Sequence, residues 1–244
     1  MKNYKITVEY DGTKYNGWQR QGNTKNTIQE RFENVLSRMC GANVEIFASG
    51  RTDAGVHALE QTANFKCDTQ MTSSQIREYL NKYLPEDVRV TSIEEVDLRF
   101  HSRLNAVSKT YEYVIATEKP DVFIRKYVFS ADKKPDIEKM KKAAALICGK
   151  HDFRGFSSLG RIKKSTVRTV NFIEIEEKDS LIKIRINADG FLYNMVRIIV
   201  GTLYDIGTDM LDESVITQIL EEKVREKAGV TLPASGLRLV KVYY

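Results

Sequence analysis

Thr27-Ile-Gln-Glu-Arg-Phe-Glu-Asn-Val-Leu-Ser-Arg-Met-Cys-Gly41 reads as a helix whose two ends are both written in the residues. Thr27 and Glu30 have the capping-box spacing, and Gly41 supplies a left-handed stop. Ile28, Phe32, Val35, Leu36 and Met39 fall on one stripe, the pattern of a helix laid on a sheet. The flanking segments decide the fold. Upstream, Lys5–Tyr10 alternates as a strand with Tyr4, Ile6, Val8 and Tyr10 on one face. Downstream come strands near 44–49 and 59–66, a helix over 73–83 stopped by Pro85, and a strand over 88–96. That order is β-α-β-β-α-β.

The second part of the chain has the same order of elements, without a visible sequence repeat. A strong strand covers 106–117, with Val107, Tyr111, Tyr113 and Ile115 alternating against polar Ser108, Thr110 and Glu112. A helix starts at Pro135 and ends at Gly149. Strands at 166–176 and 181–188 flank a Lys178-Asp179 turn. A long apolar helix over 191–206, a short helix over 212–222 and a strand over 237–243 follow. An α+β fold of two ferredoxin-like halves is expected, 1–105 and 106–244, with helices on one face of the sheet and a catalytic cleft between the halves. Clefts of that kind are where ligands usually sit.

Composition narrows the class. The 244 residues are 42% hydrophobic and 29% charged, enough for a sizeable core. The N-terminal segment alternates from the start, without the continuous apolar stretch of a signal peptide, and no span approaches membrane-helix length. A cytoplasmic protein with no membrane partner is expected. Cys40, Cys67 and Cys148 are an odd, widely spaced set, which argues against disulfides and for buried thiols in a reducing compartment. With His57, His101 and His151 they form no metal-ligand spacing, so neither a metal nor an organic cofactor is expected.

Charge is unevenly placed. Residues 1–105 carry 14 basic and 14 acidic side chains, so the whole net charge of +5 lies in 106–244. Lys150, Arg154, Arg161, Lys163, Lys164 and Arg168 face only Asp152 among acids in their stretch, beside Phe153 and Phe156. That run suits a phosphate backbone, although a solvated loop has the same composition.

Gly50-Arg-Thr-Asp-Ala-Gly-Val-His57 lies between two expected strands and holds more chemistry than a hairpin needs. Gly50 and Gly55 permit unusual dihedrals and close approach of a substrate, and Arg51 favours the ionised form of Asp53. A plain turn would also use Asp and Gly. The segment 10–21 places Lys14, Trp18, Gln19 and Arg20 among glycines and amides, a mixture suited to bases and phosphates, though a lone tryptophan is more often core. Tyr111 and Tyr113 share a strand face, where one could stack on a flipped-out base. Arg197 sits in an apolar helix and needs a partner; an ionised carboxylate such as Asp53 would serve, as would a structural ion pair.

These blocks resemble the TruA-type tRNA pseudouridine synthases. The match rests on Tyr10-Asp-Gly-Thr-x-Tyr-x-Gly-Trp-Gln-Arg-Gln21, on the 50–57 block, on Phe100-His-Ser-Arg103 and on Tyr111-x-Tyr113. It continues through Asn187-Ala-Asp-Gly-Phe-Leu-Tyr-Asn-Met-Val-Arg-Ile-Ile-Val-Gly201 and Leu232-Pro-Ala-Ser-Gly-Leu237, and departs most over 151–168. The resemblance implies two ferredoxin-like halves sharing an extended sheet and isomerisation of uridines 38, 39 and 40 in the tRNA anticodon arm. It implies a homodimer whose two subunits contact one tRNA. It places the catalytic aspartate at Asp53, a nucleotide-holding arginine at Arg51, the active-site tyrosine at Tyr111 and the aspartate's partner at Arg197, and His57, in the same loop, is expected to contact the RNA. Two rival classes stand beside it. A non-catalytic RNA-binding module would show an aromatic-rich signature that is missing here. A carboxylate-dependent nucleosidase or glycosidase normally needs two acids, and only one is marked.

Overall fold

The computed structural model describes residues 1–158, 160 and 165–244, which divide into two units. The first unit takes in Met1–Val107 and Arg238–Tyr244; the second takes in Ser108–Leu237.

The first unit runs β1 (Lys2–Tyr10), α1 (Ile28–Cys40), β2 (Ile46–Ala48), β3 (His57–Cys67), α2 (Ser73–Tyr83) and β4 (Val88–Val96). β1 is central and antiparallel to both β3 and β4, with β2 antiparallel on the far side of β3. Along β1, Tyr4, Ile6, Val8 and Tyr10 are all buried, as the alternation requires. α1 is capped by Thr27, whose hydroxyl accepts from the Glu30 amide, and stops at Gly41 with φ 63°. Its Ile28, Phe32 and Leu36 are fully buried, each worth about 1.5–3 kcal/mol by area. Glu33 is buried beside this stripe and satisfied there: it accepts from Arg20, Gln29 and the Ile46 amide. α2 has a reciprocal capping box between Thr72 and Gln75, and it buries Ile76 and Leu80. Tyr83, on the same helical stripe as Ile76 and Leu80, is instead at the surface under the Arg38 guanidinium.

The second unit runs β5 (Ser108–Ala116), β6 (Phe129–Ser130), α3 (Ile137–Ile147), β7 (Gly149–Asp152), β8 (Val167–Lys178), β9 (Leu181–Ala188), α4 (Met195–Gly207) and α5 (Val215–Glu222). Its antiparallel order is β5-β9-β8-β7, with the short β6 parallel on β5. Asp179 and Ser180 both take positive φ in the β8–β9 turn, the two-residue geometry that matches strand twist. Pro135 lies just outside α3, and Asp136 is the cap, accepting from the Glu138 and Lys139 amides. β5 departs from the expected half-exposed alternation, because Thr110 and Glu112 are buried along with the apolar positions. Both are partnered: Arg185 donates to Glu112 at 2.8 Å and Asn187 to Thr110 at 2.9 Å.

The last strand, β10 (Leu237–Tyr243), differs from the expected division. It runs parallel to β3, with Arg238 opposite His57 and Leu239 opposite Ala58, so residues 238–244 belong to the first unit. Val107 donates to the Tyr243 carbonyl and the Tyr244 hydroxyl to the Ser102 carbonyl, which fixes the chain's end there. The expectation of three thiols is also corrected. Cys40 at the end of α1 and Cys67 at the end of β3 are joined by a disulfide across a Cα–Cα distance of 6.5 Å. Folding brings together positions 27 apart in sequence, which spacing rules do not register. Cys148 is the free cysteine. Among the described residues no helix is long and apolar enough to cross a membrane.

Candidate active site

The Asp53 loop leaves β2 after Ala48 and enters β3 at His57, and its backbone is held on several sides. The Trp18 amide donates to the Thr52 carbonyl at 3.0 Å, the Gly55 amide to the Tyr15 carbonyl at 3.3 Å, and the Val56 amide to the Asp53 carbonyl at 3.1 Å. The buried Thr52 hydroxyl meets the Tyr10 hydroxyl at 2.7 Å. Burial pushes the Tyr10 phenol far above its ordinary range, against hydrogen bonds with Thr52 and Gln61, so it stays protonated. The segment 11–18 therefore acts as a backbone clamp on residues 52–56, with the half-buried Asp53 carboxylate set in the clamped turn.

This clamp explains two glycines of the 10–21 segment. A Cβ at Gly12 would lie 2.0 Å from the Val56 carbonyl oxygen. At Gly17, where φ is +88°, it would lie 2.6 Å from the Thr52 oxygen and 3.0 Å from the Asp53 carbonyl carbon. Backbone can approach backbone this closely only without side chains. Within the loop, Gly55 has φ 79°, whereas Gly50 is not in the left-handed region. Gly50 thus does not need glycine's dihedral freedom in the way expected of it.

Two residues expected to contact RNA are instead inside the unit. Trp18 is 1% exposed and packs between Tyr10 and Phe32, with ring centroids 6.0 and 5.9 Å away. It is core; its amide, not its ring, serves the site. His57 is 6% exposed, with Nδ1 accepting from the Gly12 amide at 3.0 Å and lying 3.1 Å from the Asp11 carboxylate. The histidine is a spacer between the clamp and β3. The two cations of the 10–21 segment do face solvent. Lys14 is exposed, 3.9 Å from Asp87, and Arg20 is held by Glu33 at 2.8 Å while half its side chain stays accessible. Gln19 is half-buried. Arg20 and Lys25 line a surface pocket of about 470 Å³ in the 20–25 loop.

Arg51 is exposed and makes no hydrogen bond or ion pair among the described residues. Partial burial and then the like charge of Arg103 lower its guanidinium below the usual range. Arg103 ends the Phe100–Arg103 motif, and only the folded chain brings its charge to bear on Arg51. Two adjacent cations invite an anion.

In the second unit, Tyr111 is buried and meets Phe191 edge-on at 5.0 Å. Tyr113, on the same strand face, is fully buried and donates to the Pro233 carbonyl at 2.8 Å. Burial drives its phenol far upward, against the opposing field of Arg197. Arg197 is half-buried; its Nε donates to the Leu232 carbonyl at 2.6 Å and one terminal nitrogen to Asn194 at 2.9 Å. The sequence predicts a carboxylate partner, and within this unit the guanidinium already has two neutral acceptors. Asn194, at φ 62°, starts α4 and turns its side chain to that purpose. Of the basic run, Arg154 is exposed, and Arg168 donates to the Ser165 and Val167 carbonyls at 3.0 and 2.6 Å. Arg161, Lys163 and Lys164 lie outside the described residues.

Comparison with known proteins adds a family. The family model described as tRNA pseudouridine synthase matches residues 6–105 and 143–244. The chain is 46% identical over 245 residues to "tRNA pseudouridine synthase A 2" of Bacillus cereus, with both chains covered in full. It is 49% identical over 240 residues to "tRNA pseudouridine synthase A" of a Bacillus species, covering 98% of each. It is 42% identical over 245 residues, again with full coverage of both, to the protein of that name from Acetivibrio thermocellus.

Proposed function

Because the chain belongs to the tRNA pseudouridine synthase family, we infer that it isomerises uridine to pseudouridine in tRNA, and we propose that its targets are uridines 38, 39 and 40 of the anticodon arm. The reaction breaks the bond between ribose C1′ and N1 of uracil and rejoins C1′ to C5. N1 gains a proton and the C5 hydrogen is released to solvent, so the product is an isomer of the substrate. Reaching the base requires everting the nucleotide, at a cost of a few kcal/mol.

Asp53 supplies the essential carboxylate, as nucleophile or general base. The observation that carries this assignment is the clamp. Bonds from Trp18, Tyr15 and Tyr10 immobilise the residues on both sides of Asp53 while its side chain stays only half-buried. A structural turn needs no such restraint, whereas a catalytic group gains from a fixed position. Arg51, exposed beside Arg103, holds the phosphate or sugar of the everted nucleotide. Tyr111 stacks on the base and Arg197 pairs with the carboxylate. Lys14, Gln19, Arg20, Arg154 and Arg168 contact the RNA backbone. The enzyme works in the cytoplasm, and it works as a homodimer, as the family resemblance implies.

The deciding experiment uses tRNA transcript carrying tritium at C5 of uridine. The native chain releases tritium and forms pseudouridine, and Asp53→Asn does neither while binding the transcript as tightly as before. Release of free uracil by the native chain would point to a nucleosidase. Turnover by Asp53→Asn would remove Asp53 from the chemistry.

A further inference from the structure

The β2–β3 ladder ends where the active-site loop departs, and what replaces it there is one side chain. Ala48 pairs with Ala63, and the Ser49 amide still donates to the Thr62 carbonyl at 2.8 Å. One residue on, Gly50 meets the carboxamide of Gln61. Gln61 Nε2 donates to the Gly50 carbonyl at 2.8 Å, and Oε1 accepts from the Gly50 amide at 3.4 Å and from the Ser49 hydroxyl at 2.8 Å. Gln61 is on β3 and is completely buried. A primary amide carries the same donor and acceptor as a peptide group. Its side chain therefore extends the ladder by one residue pair, at the point where the chain must leave the sheet and still be held.

Position is then handed on along the loop. Gly50 is fixed by Gln61, and Thr52 by Tyr10 and by the Trp18 amide. Asp53 follows directly. We propose that Gln61 is a positioning residue for Asp53, setting the origin of the catalytic loop through its paired bonds to Gly50. The inference rests on the role given to Asp53 above and adds a residue that touches no substrate. The amide meets the requirement at any pH: an ionised carboxylate has no donor for the Gly50 carbonyl, and an apolar chain has neither donor nor acceptor.

The test compares Gln61→Glu and Gln61→Met with the native chain in the C5-tritium assay, measuring kcat and KM separately and checking each fold by near-ultraviolet circular dichroism. Both variants are expected to lower kcat about 10- to 100-fold at neutral pH, the scale of a displacement near 1 Å, with KM for tRNA changed less than twofold. For Gln61→Glu, the ratio of variant to native kcat is expected to rise as pH falls, because the protonated carboxyl regains a donor for Gly50 and burial favours protonation. Gln61→Met has no such recovery. A kcat within twofold of native for both folded variants, a loss confined to KM, or a flat ratio across pH for Gln61→Glu each overturns the proposal. If the native chain is active while the variants match it, only Gln61's role falls; if the native chain makes no pseudouridine, the assigned activity falls with it. Should neither variant fold, the Gln61 side-chain amide protons in the native chain decide: protection from solvent exchange supports the paired bonds, and rapid exchange overturns them.

Discussion

Replacing Cys40 by serine tests how far the first unit depends on its covalent link. The bond joins the last residue of α1 to the last residue of β3, positions 27 apart, and the loop it closes contains the whole segment 50–57. In the chain-entropy treatment, a cross-link over roughly 27 residues removes about 12 cal/mol/K from the unfolded ensemble, or about 3.5 kcal/mol at 25 °C. Cys40→Ser is the cleaner substitution because Cys40 is half-buried, whereas Cys67 is 2% exposed and a hydroxyl there would add its own burial cost. The remaining Cys67 thiol sits comfortably as a small apolar group. For a chain of this size, the loss corresponds to a fall in Tm of about 7–14 °C. Scanning calorimetry of the native and Cys40→Ser proteins, each with and without reductant, reads it directly. Reductant should bring the native transition down to that of the variant and leave the variant unmoved. Alkylation of the denatured, unreduced native chain should label Cys148 alone. Three labelled thiols, or a stability difference under about 1 kcal/mol, would refute the reasoning. Turnover at 25 °C should change less than twofold, because the bonds to Gly50 and Thr52 do not pass through the disulfide.

Gly12→Ala should abolish pseudouridine formation and destabilise by about 3 kcal/mol or more, since its Cβ meets the Val56 carbonyl at 2.0 Å; Gly22→Ala, with nothing within 4 Å, should shift urea unfolding by less than about 0.5 kcal/mol. Asp152 titrates below its ordinary range: partial burial opposes the shift, and bonds from Thr166, Lys223 and the Arg154 amide outweigh it. Its contribution to stability is therefore present above the unfolded carboxylate pKa and lost as pH falls through the lower folded value. Asp152→Asn should flatten the acid limb of the stability–pH curve, and an unchanged limb would exclude the residue. Burial raises the Cys148 thiol, so alkylation of the folded chain at pH 7 should be much slower than for a small thiol at equal concentration, with a comparable rate counting against that burial.

Local signals carried much of this fold. The helix at 73–83 and the strands at 88–96, 181–188 and 237–243 fall where periodicity and caps place them, because period, cap and breaker agree in each. Interactions between distant residues were not legible. β10 shows its period but not its partner, which lies some 180 positions earlier on β3. β6 and β7, two and four residues long, are too short to display a period at all. The face of Thr110 and Glu112 reads as solvent until Arg185 and Asn187 arrive to satisfy it. At the site, the Asp53 block is conspicuous by its glycines and charges, but its restraints come from ordinary residues. Tyr10, Gly12, Gly17 and Gln61 have no unusual spacing, and their meaning lies in which carbonyl each one faces. Trp18 and His57 show the converse, since both are chemically capable and both are packed inside.

The placement of β10 bears on how the molecule is made. The strand lies against His57 and Ala58, immediately after the Asp53 loop, yet roughly 130 residues of the other unit are translated between them. At typical ribosomal speeds of about 5–20 residues per second, that flank of β3 stays bare for roughly 7–26 seconds after the rest of its unit has emerged. A bare strand flank is an invitation to wrong pairing, and here it borders the Asp53 loop itself. A nascent chain therefore carries its Asp53 segment long before the strand that seals it, and the two are joined only when residues 238–244 leave the tunnel.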